Sequence, residues 1–382
     1  MVAGRDLSTV VDVAFKSLGF KEEIGCQLDE VEPLALVPDC FSDESMPEAT
    51  HMQLNIKSGS SMENSSLENG KAQFVPTIRS GSWTDIGHRK CMEDEHICVD
   101  DLSKHLGLLF EGPQPYAFYG VFDGHCGAGA AIFVRNNLLR LVLEDVDFLQ
   151  MVRKDGDFFI AAEKAVKNAF LLADLSLADD SDVDSSCGTT VLIALILGRS
   201  LLVANAGDCR AVLCRRGRAV ALSRDHKPDL FSERLRIEAL GGFVDDGYLN
   251  GELSVARALG DWDMKMPKGS PSPLSSEPEF QQVDLTEEDE FLIIGCDGIW
   301  DVISSEWAVN MVREELMQYN DPERCSRKLV QEALRQNTQD NLTVVVVSFS
   351  AEPPPVIERP PLRYHYIAAE GFRSLRGFLE AV

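Results

Sequence analysis

Basic residues are scarce in this chain: 36 Lys and Arg stand against 62 Asp and Glu over 382 residues, a formal net charge of −26. A field of that sign repels nucleic acid and anionic lipid, so neither is an expected partner. Long apolar runs are missing too. The purest spans 191–197, far short of the roughly 20 residues that cross a bilayer, and no membrane span is expected. No leader-like apolar stretch opens the chain, residue 2 is Val rather than Gly, and the closing Leu-Glu-Ala-Val is no prenylation signal. The ten cysteines include no C-x-x-C pair, so they read as reduced thiols and the compartment as cytosol or nucleus. There is neither a G-x-G-x-x-G loop nor a Walker lysine, which leaves ATP hydrolysis without support. No internal repeat is found.

What is present is a globular composition, 45% hydrophobic and 26% charged, with enough apolar residue for a sizeable core. Residues 1–77 stand apart: an acidic stretch is followed by a Ser/Asn/Gly/Glu-rich one at 58–71, the composition of a largely disordered N-terminal extension. From 78 to 350 short apolar runs alternate with Gly and Asp, and a folded domain is expected there. The remainder, 351–382, is a Pro-rich and then basic-aromatic tail. Strands are expected at 117–122, 190–197, 201–206, 211–214, 219–222, 291–295 and 342–349. Turn residues at 198–200, 207–208 and 215–217 fall between them at hairpin spacing, as in an antiparallel meander. Helical periodicity appears at 128–149, 158–177, 232–240, 307–317 and 322–335, with Gly241-Gly242 stopping the third and Asp321-Pro322 starting the last. Helices and strands are grouped rather than alternating. That predicts an α+β fold of sheet on sheet with helices outside.

The chemistry sits in acids placed where strands end. Residues 119–122 run into Asp123-Gly124-His125, 292–296 into Asp297-Gly298, and Asp340-Asn341 precedes 342–347. A single Asp-Gly is ordinarily a turn. Three on strands that share one core converge, and clustered carboxylates without a counter-charge resist ionisation. A divalent cation resolves the conflict, and oxygen donors select the hard ions Mg²⁺ or Mn²⁺ over Zn²⁺. Two such ions sharing a carboxylate sit about 3.5–4 Å apart. They lower the pKa of a bridging water from about 15.7 toward ~7, giving a hydroxide suited to attack on a phosphate ester.

Other residues near these acids have two readings each. Arg89, four residues before Glu93-Asp94, suits bidentate phosphate binding or an ordinary surface ion pair. His125 protonates a leaving alkoxide, or is merely held by local hydrogen bonds. Asp208 and Asp301 bind an additional, weaker cation, or cap turns or pair with Arg210. The run Gly260-Asp261-Trp262-Asp263 adds a ligand or braces its loop.

The motif set resembles the metal-dependent Ser/Thr protein phosphatases of the protein phosphatase 2C family, plant type. The matching segments are Gly87-His88-Arg89-Lys90-Cys91-Met92-Glu93-Asp94, Phe122-Asp123-Gly124-His125-Cys126-Gly127, Cys187-Gly188-Thr189-Thr190, 205–210, Asp225-His226-Lys227-Pro228, Ala256-Arg257-Ala258-Leu259-Gly260-Asp261, 296–301 and Asp340-Asn341, in the family's order. The resemblance implies a central antiparallel β-sandwich flanked by helix pairs and direct hydrolysis of phosphoserine or phosphothreonine in proteins, without a phosphoenzyme. It implies that Asp123 bridges two Mn²⁺ or Mg²⁺ ions, that the Gly124 carbonyl binds one, and that Asp297 and Asp340 bind the other. Glu93 and Asp94 would hold metal-bound waters, Arg89 the substrate phosphate, and Asp208 with Asp301 a weaker third ion; His125 would be the general acid. The segment 225–259 matches the family's flap and contains no Trp, so inhibition by a hormone receptor is not expected. All site positions are intact, which argues against the alternative, a catalytically weak phosphatase-like binding module.

Overall fold

Three seven-residue strands among the described residues are buried along their whole length, Val191–Leu197, Asp289–Gly295 and Leu342–Ser348. Each lies inside a five-stranded sheet with a hydrogen-bonded partner on either side. Unbroken apolar runs are what such doubly covered strands require. The computed structural model describes residues 74–103, 114–145, 148 and 158–356; the expected extension up to 73 and the tail beyond 356 lie outside the described residues.

In chain order the elements are β1 (Arg79–Asp85), β2 (Glu95–Val99), β3 (Tyr116–Phe122), β4 (Gly124–His125), α1 (Gly129–Glu144), α2 (Phe158–Leu177), β5 (Gly188–Thr189), β6 (Val191–Leu197), β7 (Ser200–Ala206), β8 (Arg210–Arg215) and β9 (Arg218–Ala221). There follow α3 (Phe231–Ala239), β10 (Val244–Asp245), β11 (Tyr248–Leu249), β12 (Leu259–Gly260), β13 (Glu279–Asp284), β14 (Asp289–Gly295), α4 (Asp297–Trp300), α5 (Ser305–Tyr319), α6 (Pro322–Arg335) and β15 (Leu342–Ser348). One sheet runs β1-β15-β14-β8-β9 and the other β13-β7-β6-β3-β2, with every pairing antiparallel.

Alternation along each strand divides the side chains between two cores. Tyr119 and Val121 of β3, Leu192 and Ile196 of β6, Leu292 and Ile294 of β14, and Val345 and Val347 of β15 meet between the sheets. Their neighbours point outward. Phe118, Phe122, Ile193 and Leu195 pack under α1 and α2, while Phe291, Ile293, Val344 and Val346 pack under α5 and α6. The result is the expected α+β sandwich of helix pair, sheet, sheet, helix pair. Fully burying one such Val, Leu, Ile or Phe contributes about 1.5–3 kcal/mol.

Helix ends follow the sequence signals. Asp321 accepts from the backbone N–H groups of Glu323 and Arg324 with Pro322 at the first helical position, and Ser304 caps α5 by accepting from Trp307. One turn differs from expectation. Gly207-Asp208 joins β7 to β8, which lie in different sheets, so the segment is a crossover rather than a hairpin. Gly207 makes the bend at φ 126°, and its N–H donates to His226 Nδ1 at 3.1 Å. The crossover carries Asp208 to the end of the sandwich.

Candidate active site

Strand registers bring the acids to one end. Glu95 of β2 stands opposite Phe122 of β3, Val191 of β6 opposite Ala206 of β7, and Gly295 of β14 opposite Val344 of β15. The residues just beyond those pairs are therefore neighbours: Glu93-Asp94, Asp123, Asp208, Asp297 and Asp340. Carboxylate oxygens of Asp123, Asp208 and Asp297 lie within 4.8 Å of one another, and Asp94, Asp123 and the Cys296 sulfur form a second group of the same span. Asp123 belongs to both. Glu93, Asp301 and Asp340 fall outside these tight groups.

The backbone around the acids is closely packed. Asn341 ties three segments together: its Oδ1 accepts from Glu93 N at 2.8 Å, and its Nδ2 donates to the carbonyls of Ile86 and Cys91 at 2.8 and 3.0 Å. A Cβ on Gly124 would lie 2.4 Å from the Glu93 carbonyl oxygen, and one on Gly298 would lie 2.0 Å from that of Asn341. Only glycine fits either position.

The electrostatics are those of crowded anions. Burial, with Asp94 and Asp297 close by, pushes Asp123 well above the usual carboxylate range. Burial takes Asp94 up to about 6, although Thr343 Oγ1 donates to it at 2.7 Å. Asp297 is pushed up to about 7 by burial and by Asp208, and Lys227 only partly offsets this. Asp301 is raised as well, by burial first. Lys227 Nζ pairs with Asp208 and lies 3.6 Å from Asp297; burial works against its charge, but those two acids hold it above the ordinary lysine value. Of the alternatives for Asp208, the pairing with Arg210 is not made: Arg210 engages Asp225. The Cys296 thiol is driven well above its ordinary value by burial. It stays protonated, and the donor set is one of hard oxygens. Such carboxylates, short of counter-charge at their observed positions, fit divalent cations of the Mg²⁺ or Mn²⁺ type.

Two further residues flank the acids. Arg89 is half-exposed and donates from Nη2 to Asp340 Oδ2 at 2.7 Å. His125 Nε2 lies 2.7 Å from Asp261 Oδ1. Sequence reasoning left Lys227 and Thr343 without a role, and their partners explain why: Asp208 and Asp94 are 19 and 249 positions away. A threonine at the second position of the otherwise apolar Leu-Thr-Val-Val-Val-Val-Ser strand was the available signal.

Comparisons with known proteins bear on the family and the fold. The sequence pattern of the family described as Protein phosphatase 2C matches residues 82–342. The chain is 58% identical over 312 residues to the probable protein phosphatase 2C 27 of Arabidopsis thaliana, covering 81% of this chain and 80% of that one. It is 58% identical over 315 residues to the probable protein phosphatase 2C 2 of Oryza sativa subsp. japonica, covering 81% and 83%. In fold it resembles the serine-threonine phosphatase 2C of Toxoplasma gondii, with a TM-score of 0.61 at 24% identity over 73% of this chain and 98% of that one. The chain therefore belongs to the protein phosphatase 2C family, as one of its plant-type protein serine/threonine phosphatases.

Proposed function

We propose that this chain hydrolyses phosphoserine and phosphothreonine in proteins by direct transfer of the phosphoryl group to water, with no phosphoenzyme, and that residues 78–350 form the catalytic unit. The observation that carries the reading is the convergence of Asp94, Asp123, Asp208 and Asp297, all carboxylates, at one end of the sandwich. Asp123 would be shared by two Mn²⁺ or Mg²⁺ ions, with the Gly124 carbonyl, Asp297 and Asp340 as further ligands. Glu93 and Asp94 would hold water of the coordination shell, and Asp208 with Asp301 would take a weaker third ion. When bound, such ions lower the pKa of the water they share and offset the charge of the phosphoryl group.

The chain's own residues do the rest. The planar guanidinium of Arg89 stands at the rim, where a phosphoryl group would compete with Asp340 for its N–H groups. His125, whose side chain is partly exposed, supplies the proton that the serine or threonine oxygen needs on leaving. The cysteine pattern, without a C-x-x-C pair, supports a place in the cytosol or nucleus; no described helix is long and apolar enough to cross a membrane. The test is phosphate release from a phosphothreonine peptide by the full chain. Turnover is expected with Mn²⁺ or Mg²⁺ and not in EDTA, with one atom of solvent oxygen in each phosphate. Undiminished turnover in chelator, or a trapped phosphorylated protein, would falsify the reading.

A further inference from the structure

The contact between His125 and Asp261 crosses a three-stranded sheet built for it. The order is β12-β5-β4, with His125 of β4 paired to Gly188 of β5 and Gly188 to Gly260 of β12. A Cβ on Gly188 would lie 2.0 Å from Asp261 Oδ2 and 2.3 Å from His125 Nε2. Any side chain there would force the two apart. The Asp261 side chain is 3% exposed and the His125 side chain 24%. Asp261 Oδ2 is buried without a hydrogen-bond partner, so His125 is the partner this carboxylate has among the described residues.

The loop behind Asp261 is held hard. Asp261 has the left-handed conformation at φ 51°, which a non-glycine residue keeps only where its surroundings enforce it. Its N–H donates to Cys187 O at 3.0 Å, and its carbonyl accepts from Met264 N at 3.0 Å. On α2, the buried Asp174 accepts from Gly260 N at 2.8 Å and from Lys265 Nζ at 2.7 Å, and its backbone carbonyl accepts from Trp262 Nε1. Residues on both sides of Asp261 are thus pinned to one helix.

We infer that Asp261 is a positioning residue for the hydrolysis: it accepts from His125 Nε2–H, fixes the imidazole, and leaves Nδ1 as the nitrogen that serves the leaving group. The inference rests on the reading of His125 as proton donor. In that step water oxygen bonds to phosphorus and gives up one proton to solvent, the bond from phosphorus to the serine or threonine oxygen breaks, and that oxygen takes the His125 proton, which solvent replaces. A loop brace alone would need no contact with the ring.

The test compares two substrates with the full chain in Mg²⁺: a phosphothreonine peptide, whose alkoxide needs a proton, and p-nitrophenyl phosphate, whose phenolate leaves without one. Asp261→Asn is expected to lower kcat about 100-fold on the peptide and less than about tenfold on the aryl ester. His125→Ala should show the same split, and the double variant should be no slower on the peptide than His125→Ala. If His125→Ala slows both substrates equally, the reading of His125 falls and the inference with it. If His125→Ala discriminates while Asp261→Asn does not, or if the two losses multiply, the inference alone falls. Nitrogen-15 NMR of the histidine-labelled wild-type chain needs no variant: a proton on His125 Nε2 is expected, and a bare Nε2 would overturn the assignment.

Discussion

Asp123, half-buried, and Glu233, buried, are both carboxylates enclosed by charged neighbours, and the chain treats them in opposite ways. Burial alone would raise Glu233, but Arg257 and Arg236 bond to it at 2.5 and 2.9 Å and hold it below the usual range. Around Asp123 the neighbours are acids, and its proton affinity rises. Glu233 also forms a tight group with His226 and Glu279, of the same 4.8 Å span as the groups around Asp123. That group has its cations already, since Arg257 reaches Glu279 at 3.2 Å as well. Proximity of ligand-type atoms therefore does not by itself identify a metal site; the balance of nearby charge is what separates the two groups. Around Glu233 the chain supplies two guanidiniums. Around Asp123 it supplies none, and Lys227, paired with Asp208, offsets the crowding there only in part.

The comparison breaks most visibly through substitution. Asp123→Asn should lower phosphopeptide turnover on the order of 10³-fold and weaken Mn²⁺ binding with it. In EDTA the same variant should melt higher than the wild type, by about 2–4 °C for each kcal/mol of repulsion relieved in a domain of this size. Glu233→Gln should do the reverse. Two partly buried guanidiniums would lose their charged partner while keeping backbone carbonyls and, for Arg257, Glu279, at a cost of about 1–3 kcal/mol, while calorimetric Mn²⁺ affinity stays unchanged. Should Asp123→Asn destabilise the metal-free chain, or Glu233→Gln leave its melting point untouched, the two groups are not of different kinds.

A weaker effect follows from pH. Asp94 and Asp297 titrate at about 6 and about 7 in the folded chain, against roughly 3.9 for an aspartate in an unfolded one. Between those values the folded state binds more protons, so stability falls as pH rises. Their contribution is complete below the unfolded value and lost as pH passes about 6 to 7. In EDTA the melting temperature should decline from pH 5 to pH 8, and saturating Mg²⁺ should flatten the slope. A metal-free melting temperature that rises over this range contradicts the crowded-anion account.

How much of this was legible in the sequence depended on burial. β6 and β15 are covered on both faces and announce themselves as apolar runs. β2 and β13 do not: both are sheet edges, with sequences Glu-His-Ile-Cys-Val and Glu-Phe-Gln-Gln-Val-Asp. The Asp123 and Asp297 positions were legible because a carboxylate before glycine at the end of an apolar strand is a local pattern. The Asp261 to His125 contact is not local, its members standing 136 positions apart. Sequence could leave Asp261 only as a ligand or a brace, and the bracing proves to reach a second side chain. The Gly207-Asp208 crossover was misread because a hairpin and a change of sheet need the same turn residues.

Arg89 joins the two kinds of region, and its effects are the smallest and the most diagnostic. It is a cation, it faces Asp340, and it is half-exposed. As a surface ion pair it contributes at most about 1 kcal/mol to folding, so Arg89→Ala should barely shift the melting temperature. Its two functions should separate in sign. Loss of a phosphate contact made equally in the ground and transition states raises KM for the phosphopeptide, about tenfold, with kcat nearly unchanged. Loss of the counter-charge on Asp340 frees that carboxylate, and Mn²⁺ binding should tighten by a few-fold in calorimetry. Mn²⁺ binding that weakens instead would mean the guanidinium helps assemble the acids rather than competing with an ion for them. The division between acids paired by the chain and acids left for a metal would then not hold at Asp340.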